Sequence, residues 1–344
     1  HVRSRRQRQM CIRDRMKSNK WKRAALFITA LFASTANLAF AQTWTPQKNV
    51  ELVVYSAPGG SNDKTARAIE RIIAGKKLIN STITVVNKTG GGGNIQLNYM
   101  SQHAADPHYL MITTPTLLAN HITGNSAQTY TDFTPIASMI NDYVVYVVSA
   151  ASPIKTGQDL IDRLKKDPRS VSIGFATTLG SHNHIAAGLL MKKIGGDPKT
   201  LKVVAFKGAA DAITTFMGGH IDLVTTAAGN VSGLVESGKL RVIAVAGNTR
   251  MSGIYANVPT WKEQGVDLVW SNWRAIVGPK GMTPAQVKTW QDVLSKVYAS
   301  PEWKEELQRN YWGDDFTVGD KFNKDLADEY AVMKSALAEL GLGK

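Results

Sequence analysis

Residues 55–72 read YSAPGGSNDKTARAIERI: an apolar strand breaks at Pro58-Gly59-Gly60 and restarts as a helix at Ser61-Asn62-Asp63. A helix N-terminus presents unbonded backbone N–H groups and the positive end of the helix dipole, so the junction has the chemistry of an anion site. Gly59 and Gly60 let a ligand approach the backbone closely. The alternative is an N-cap in which Asp63 compensates the dipole. The two roles are compatible, because capping leaves other amides free. A nucleotide phosphate does not fit. A phosphate loop needs G-x-x-x-x-G-K-[ST], whereas Lys64-Thr65 follow Asp63 here with the glycines too close behind, and no G-x-G-x-x-G occurs. Asp63 would also oppose a polyphosphate.

Three further strand-to-helix turns carry polar groups. NKTGGGGNIQ (87–96) holds four consecutive glycines, an entropically costly run that points either to packing or to direct ligand contact. FATTLGSHNHIAAGLL (175–190) places Thr177, Thr178, Ser181 and backbone amides at a helix start, donors that bind a carboxylate without net charge. His182 and His184 lack a third ligand at a zinc-like spacing, so a metal is not expected, and helix capping or packing is the better reading. FKGAADAITTFMGGHIDLV (206–224) sets Lys207 before Gly208 and Asp211 in the first helical turn, where Lys207 is either a ligand contact or a solvated cation. WSNWRAIVG (270–278) offers either an aromatic cleft wall or core packing. No G-x-S-x-G elbow or Cys/His pairing occurs.

The elements that position these turns alternate short β-branched runs with amphipathic segments, the pattern of an α/β protein with largely parallel sheets. Strands are expected at 50–56, 81–87, 109–114, 142–149, 170–176, 201–206, 222–227, 240–246 and 274–279. Ala66, Ile69, Ile73 and Ala74 share one helix face, as do Ile185, Ala186, Leu189 and Leu190. Thr283 to Leu342 is almost wholly helical in pattern, with Pro284 and Pro301 near helix starts. At 344 residues two domains are expected. Chain crossings near VVSAASPIKTGQDL and GVDLVWSNWRAIVGPKG divide the chain into a discontinuous first domain (45–146 and 269–344) and a continuous second one (147–268), with a cleft between them.

From Met16 the text has the logic of a secretory signal. Lys17, Lys20, Lys22 and Arg23 precede an apolar run and the small-residue site Ala39-Phe40-Ala41, so 16–41 is expected to be cleaved before Gln42. The apolar run Ala24 to Ala33 is about half of the roughly 20 residues a spanning helix needs. Residues 1–15 lack signal-peptide logic and are expected to be a non-native extension. Residues 1–41 hold ten Lys/Arg and one acid, so +9 of the formal +14 leaves with them and +5 remains. That is far from the clustered basic face nucleic-acid binding requires. The single cysteine, Cys11, leaves too, so the exported chain relies on its core, which suits the periplasm of a Gram-negative bacterium.

In order along the chain, APGGSNDKTARAIE, NKTGGGGN, DFTPIAS, GSHNH, FKGAADA, GKLRVIAVA, VPTWKEQG and WRAI resemble the motifs of the tripartite tricarboxylate transporter substrate-binding proteins, the Bug family. Thr89 stands where that family usually has Pro, and Phe206 where it has Tyr. The resemblance implies a two-domain Venus-flytrap receptor, not an enzyme, working as a monomer without cofactor, metal or nucleic acid. It would close on a small carboxylate (a di- or tricarboxylate, an acidic amino acid or an aromatic acid) and present it to integral-membrane permease subunits. It assigns carboxylate binding to Gly59, Gly60, Ser61 and Asn62 from one domain and to Thr177, Thr178, Ser181, Lys207, Gly208 and Asp211 from the other. Tyr55, Pro58, Asp63, Thr114, His184 and Trp273 complete the candidate set. The rivals are an enzyme on the same two-lobed fold and a ligand-sensing domain; the export signal and the lack of a helix-turn-helix ahead of the first strand disfavour the latter.

Overall fold

The computed structural model describes residues 44–176 and 178–343, and from Thr45 onward they belong to one unit. The expected signal segment and the extension before it lie outside the described residues. Eleven strands and ten α-helices are described: β1 (Val50–Val54), α1 (Ser61–Gly75), β2 (Ile83–Asn87), α2 (Asn94–Ser101), β3 (Tyr109–Thr113), α3 (Thr116–Ile122), β4 (Phe133–Ile140), β5 (Val144–Ser149), α4 (Gly157–Lys166), β6 (Ser172–Ala176), α5 (His182–Lys193), β7 (Lys202–Phe206), α6 (Ala209–Met217), β8 (Leu223–Ala227), α7 (Ser232–Glu236), β9 (Leu240–Val245), β10 (Arg274–Pro279), α8 (Pro284–Tyr298), α9 (Pro301–Asn310), β11 (Thr317–Val318) and α10 (Gly319–Glu339).

The strands form two sheets, ordered β11-β4-β10-β3-β1-β2 and β7-β6-β8-β5-β9. All nine expected strands form, and the sheets are mixed. In the first, β1, β2 and β3 run parallel while β10 is antiparallel to both β3 and β4. In the second, β6, β7 and β8 are parallel and β5 is antiparallel to β8 and β9. The reversed strands β5 and β10 each follow a passage of the chain from one sheet to the other, and are therefore free of the right-handed helical crossover that enforces parallel pairing. Strand β4 was not expected from the apolar pattern, because Pro135 interrupts it. Pro is tolerated there because β11 covers only Ser138 and Ala137, leaving Pro135 on an open edge beside a register shift at Ile276/Val277.

Helix faces follow the sequence periodicity. Ala66, Ile69 and Ile73 of α1 are buried, with Ile72 taking the place expected for Ala74. Helix α5 buries nearly its whole length, including Ile185, Ala186, Leu189 and Leu190. Helices α8 and α9 begin at Pro284 and Pro301 behind the side-chain caps Thr283 and Ser300. In the core, the Tyr146 ring meets Trp261 edge-on at 4.9 Å and its hydroxyl donates to the Ala186 carbonyl at 2.7 Å.

The chain leaves the first sheet at Ile140 and enters the second at Val144, where Val144 already pairs with Ala227. The boundary expected after residue 146 thus falls inside β5. The returning segment runs alongside the outgoing one: Tyr143 bridges Ser271, and the Asn272 amide donates to the Asp142 carbonyl at 2.9 Å. Between them Arg274 and Asp142 form an ion pair at 2.9 Å, with side chains only 1% and 6% exposed. Removing one partner of such a pair strands a charge in the interior, so Asp142→Ala should lower the unfolding free energy by about 3–5 kcal/mol, while Asp142→Leu combined with Arg274→Met should recover most of it. Urea denaturation of the three proteins is the check; a double variant as weak as the single one would show that the loss is not electrostatic.

Candidate functional site

The turn between β1 and α1 is built around Asp63. Its Oδ2 accepts from the Gly59 amide at 2.8 Å and from Arg67 Nε at 2.9 Å, and its Oδ1 accepts from Asn87 Nδ2 at 3.0 Å. The Asp63 amide in turn donates to Ser56 Oγ at 3.1 Å. Burial works against the charge, yet these donors outweigh it and hold the Asp63 carboxyl below its ordinary value. Gly59 adopts φ +81°, a conformation that favours glycine. The Gly60 amide is spent on the Ala57 carbonyl at 3.0 Å. The amides of Ser61 and Asn62, the first two helical residues, make no hydrogen bond within the described residues.

The start of α5 repeats the arrangement. Ser181 caps the helix, and the Gly180 amide, at φ +82°, donates to His184 Nδ1 at 2.9 Å. His184 lies against Phe175 with ring centroids 4.8 Å apart, and burial pushes its imidazole down to about 4. A neutral ring is what an accepting Nδ1 requires. The next two amides, those of His182 and Asn183, are again without partners within the described residues. Burial, aided by the charge of Arg274, also holds His182 down to about 4.

Both helix starts open onto one cavity of about 480 Å³. Tyr55, Ser61 and Asn62 line it from the first sheet's side, and Thr178, Ser181 and His182 from the second. The Tyr55 hydroxyl lies 2.9 Å from Thr114 Oγ1 and 3.4 Å from Thr116 Oγ1. Gly90 to Gly93 all have positive φ, which other residues rarely adopt, and Gly92 reaches the cavity while its carbonyl accepts from Asn120 Nδ2 at 2.9 Å. Among the described residues, no Lys, Arg, Asp or Glu lines this cavity. Its polarity comes from helix ends, hydroxyls and amides, a donor set suited to a carboxylate.

Other candidates lie elsewhere. Pro58 and Gly59 are exposed and Gly60 half-buried; none lines the cavity, and the two glycine amides serve the loop itself. Asp63 and His184 are internal braces, and the buried Thr114 stands behind Tyr55. Lys207 and Asp211 are exposed, and neither they nor Gly208 line the cavity. Thr177 lies outside the described residues. Trp273 faces a separate cavity of about 370 Å³, where its indole N–H donates to Glu329 Oε2; burial pushes that carboxyl up to about 8. Sequence reasoning missed Thr116, Asn120, Asn272 and Met333, which also line the main cavity. The turn TTPTLLAN after β3 is a further strand-to-helix junction and carried a legible signal; Asn272 lies in the WSNWRAIVG stretch, which was weighed for its aromatic residues, and Met333 carried no signal.

A family model described as tripartite tricarboxylate transporter family receptor matches residues 66–342. The chain belongs to this family. Protein BugT of Bordetella pertussis is 28% identical over 268 residues, 75% of this chain and 79% of that protein. A crystal structure of a TctC solute binding protein from Polaromonas, without ligand, is 27% identical with a TM-score of 0.76, covering 86% of this chain and 99% of that one. An R. palustris structure with adipate is 23% identical with a TM-score of 0.70 over 87% of this chain and 99% of that one, a likeness of fold. The two mixed sheets with flanking helices are thus those of a periplasmic solute-binding receptor. Among the described residues, no helix is long and apolar enough to cross a membrane.

The His184 brace predicts a pH dependence. An imidazole depressed from 6.5 to about 4 binds its proton more readily in the unfolded chain, so its contribution is full above pH 6.5 and is lost as the pH falls toward 4. For a buried ring this amounts to a few kcal/mol at most, on the order of 3. Urea midpoints at pH 7 and pH 4.5 should differ less in His184→Gln than in the unaltered protein; equal differences would remove His184 from the acid response.

Proposed function

We propose that this receptor captures a small carboxylate in the 480 Å³ cavity and releases it unchanged to the permease subunits of its transporter. The observation that carries the reading is the pair of helix starts, α1 and α5: the amides of Ser61, Asn62 and His182 make no hydrogen bond within the described residues, and these three residues line a cavity that, among the described residues, has no Lys, Arg, Asp or Glu. A carboxylate bridging Ser61 and Asn62 on one side and His182 on the other is held by neutral donors, which favours reversible binding. Among the described residues the lining has no Asp or Glu, which favours a plain mono- or dicarboxylate over an amino acid, whose ammonium would find no anionic partner there.

In this reading residues 45–140 with 274–343 form one lobe and 144–245 the other. The paired segments around Tyr143 and Ser271 act as the hinge. A ligand that bridges the lobes binds the closed form better, and closure is the signal the permease reads. Among the described residues, the cavity lining holds no cysteine and no acid–base pair, which supports binding without turnover. Export to the periplasm follows from the signal at 16–41, and the receptor works as a monomer.

Thermal unfolding with acetate, succinate, adipate, citrate, glutamate and benzoate tests the ligand class. At a concentration 100 times its Kd, a true ligand adds about 2.7 kcal/mol to the stability of the folded state. No shift with any of the six would sink the carboxylate reading. Ser61→Pro is the local test. Pro is accepted at the first helical position, and the backbone of Gly60 (φ −69°, ψ 165°) suits a residue preceding it. The variant should fold normally and bind the carboxylate at least tenfold more weakly, because one charge-assisted donor is gone; unchanged affinity would remove the α1 amides from the site.

A further inference from the structure

Behind the cavity wall, Arg274 is 1% exposed and its donors are unequally used. Nε donates to Asn62 Oδ1 at 3.1 Å and Nη2 to Asp142 Oδ2 at 2.9 Å, while Nη1 has no partner among the described residues. The guanidinium lies 5.1 Å from the Trp312 ring centre. Arginine offers only N–H donors, so the atom of Asn62 facing it must be the amide oxygen. The NH2 group of Asn62 is therefore turned to the other side of the carboxamide, and Asn62 lines the cavity.

We propose that Arg274 is a positioning residue for the ligand, locking the Asn62 carboxamide with its NH2 presented to the cavity as a donor beside the Ser61 and Asn62 amides. This deepens the carboxylate reading above and rests on it. An asparagine is ambivalent, since one end donates and the other accepts. Reversed, Asn62 would set a carbonyl oxygen against a carboxylate and favour an ammonium instead. Arg274 removes that choice without entering the cavity, and its second bond, to Asp142, sets its place relative to the hinge. Lysine could not substitute, because one ammonium lacks the planar fork that engages both partners.

The test is a double-mutant cycle read by calorimetry with succinate, adipate and benzoate, using Arg274→Lys, Asn62→Ala and the pair. Arg274→Lys should weaken binding roughly tenfold alone, as expected for a misdirected hydrogen bond to a charged group, and much less when Asn62 is already alanine. Equal losses in both backgrounds, or no loss in the single variant, would overturn the proposal. If Arg274→Lys does not fold, Asn62→Asp serves: it keeps a partner for Arg274 but replaces the NH2 donor by a carboxylate, and should abolish binding; retained affinity overturns the proposal. The unliganded protein provides a separate reading. The side-chain 15N–1H pair of Asn62, assigned by its disappearance in Asn62→Ala, should be well dispersed and should collapse toward the free asparagine position in Arg274→Lys. Unchanged resonances would overturn the positioning role even if a ligand binds. If the dispersion is lost on Arg274→Lys yet the wild-type protein binds none of the three acids, the positioning role stands and the carboxylate reading is refuted.

Discussion

The ion pair between Arg274 and Asp142 is the constraint around which the rest is arranged. It joins the segment leaving the first sheet to the segment returning to it, at the place where the backbone is also bridged between Tyr143 and Ser271. Burial drives the Asp142 carboxyl up from its ordinary range, and the adjoining guanidinium opposes that rise. An isolated charge would not survive there, so the two crossings must remain in register. Through Asn62 the same guanidinium reaches the first turn of α1. One buried cation thereby connects the paired crossings with the first turn of α1.

The site itself depends on keeping charges out of the cavity while using them behind it. Asp63 organises the first turn from within, and a neutral His184 does so in the second. In both turns a glycine amide is spent on an internal acceptor, while the first helical amides have no partner among the described residues. Helix ends act over short range, and enclosure strengthens them because less water competes. From the glycine tract, Gly92 adds a stretch of wall with little side-chain bulk, and a Cβ added at Gly93 would touch Tyr55.

Much of this organisation was legible in the primary structure. Nine strands followed from β-branched runs, because burial on both faces demands such residues. Both helix starts that line the cavity were visible as glycine-containing breaks followed by capping residues. Strand β4 was obscured by Pro135, and β11 is two residues long. Within the turns, local sequence placed Gly59, Gly60, Asp63 and His184 at the site but did not divide their duties. That division depends on partners such as Asn87 and Ser56, which come from neighbouring strand ends.

What the sequence by itself determined is the set of βα turns, their helix starts and the family. These rest on interactions within about ten residues and on a motif order that survives without three-dimensional information. Only the tertiary structure decided which amides remain unbonded, that Trp273 faces a different cavity, and that Lys207 and Asp211 lie outside the main one. Nor could the sequence show Asn272 and Met333 lining the same space as Ser61. Hydrogen-bond capacity is shared among groups far apart in the chain, and a donor becomes available to a ligand only when folding has left it without another acceptor.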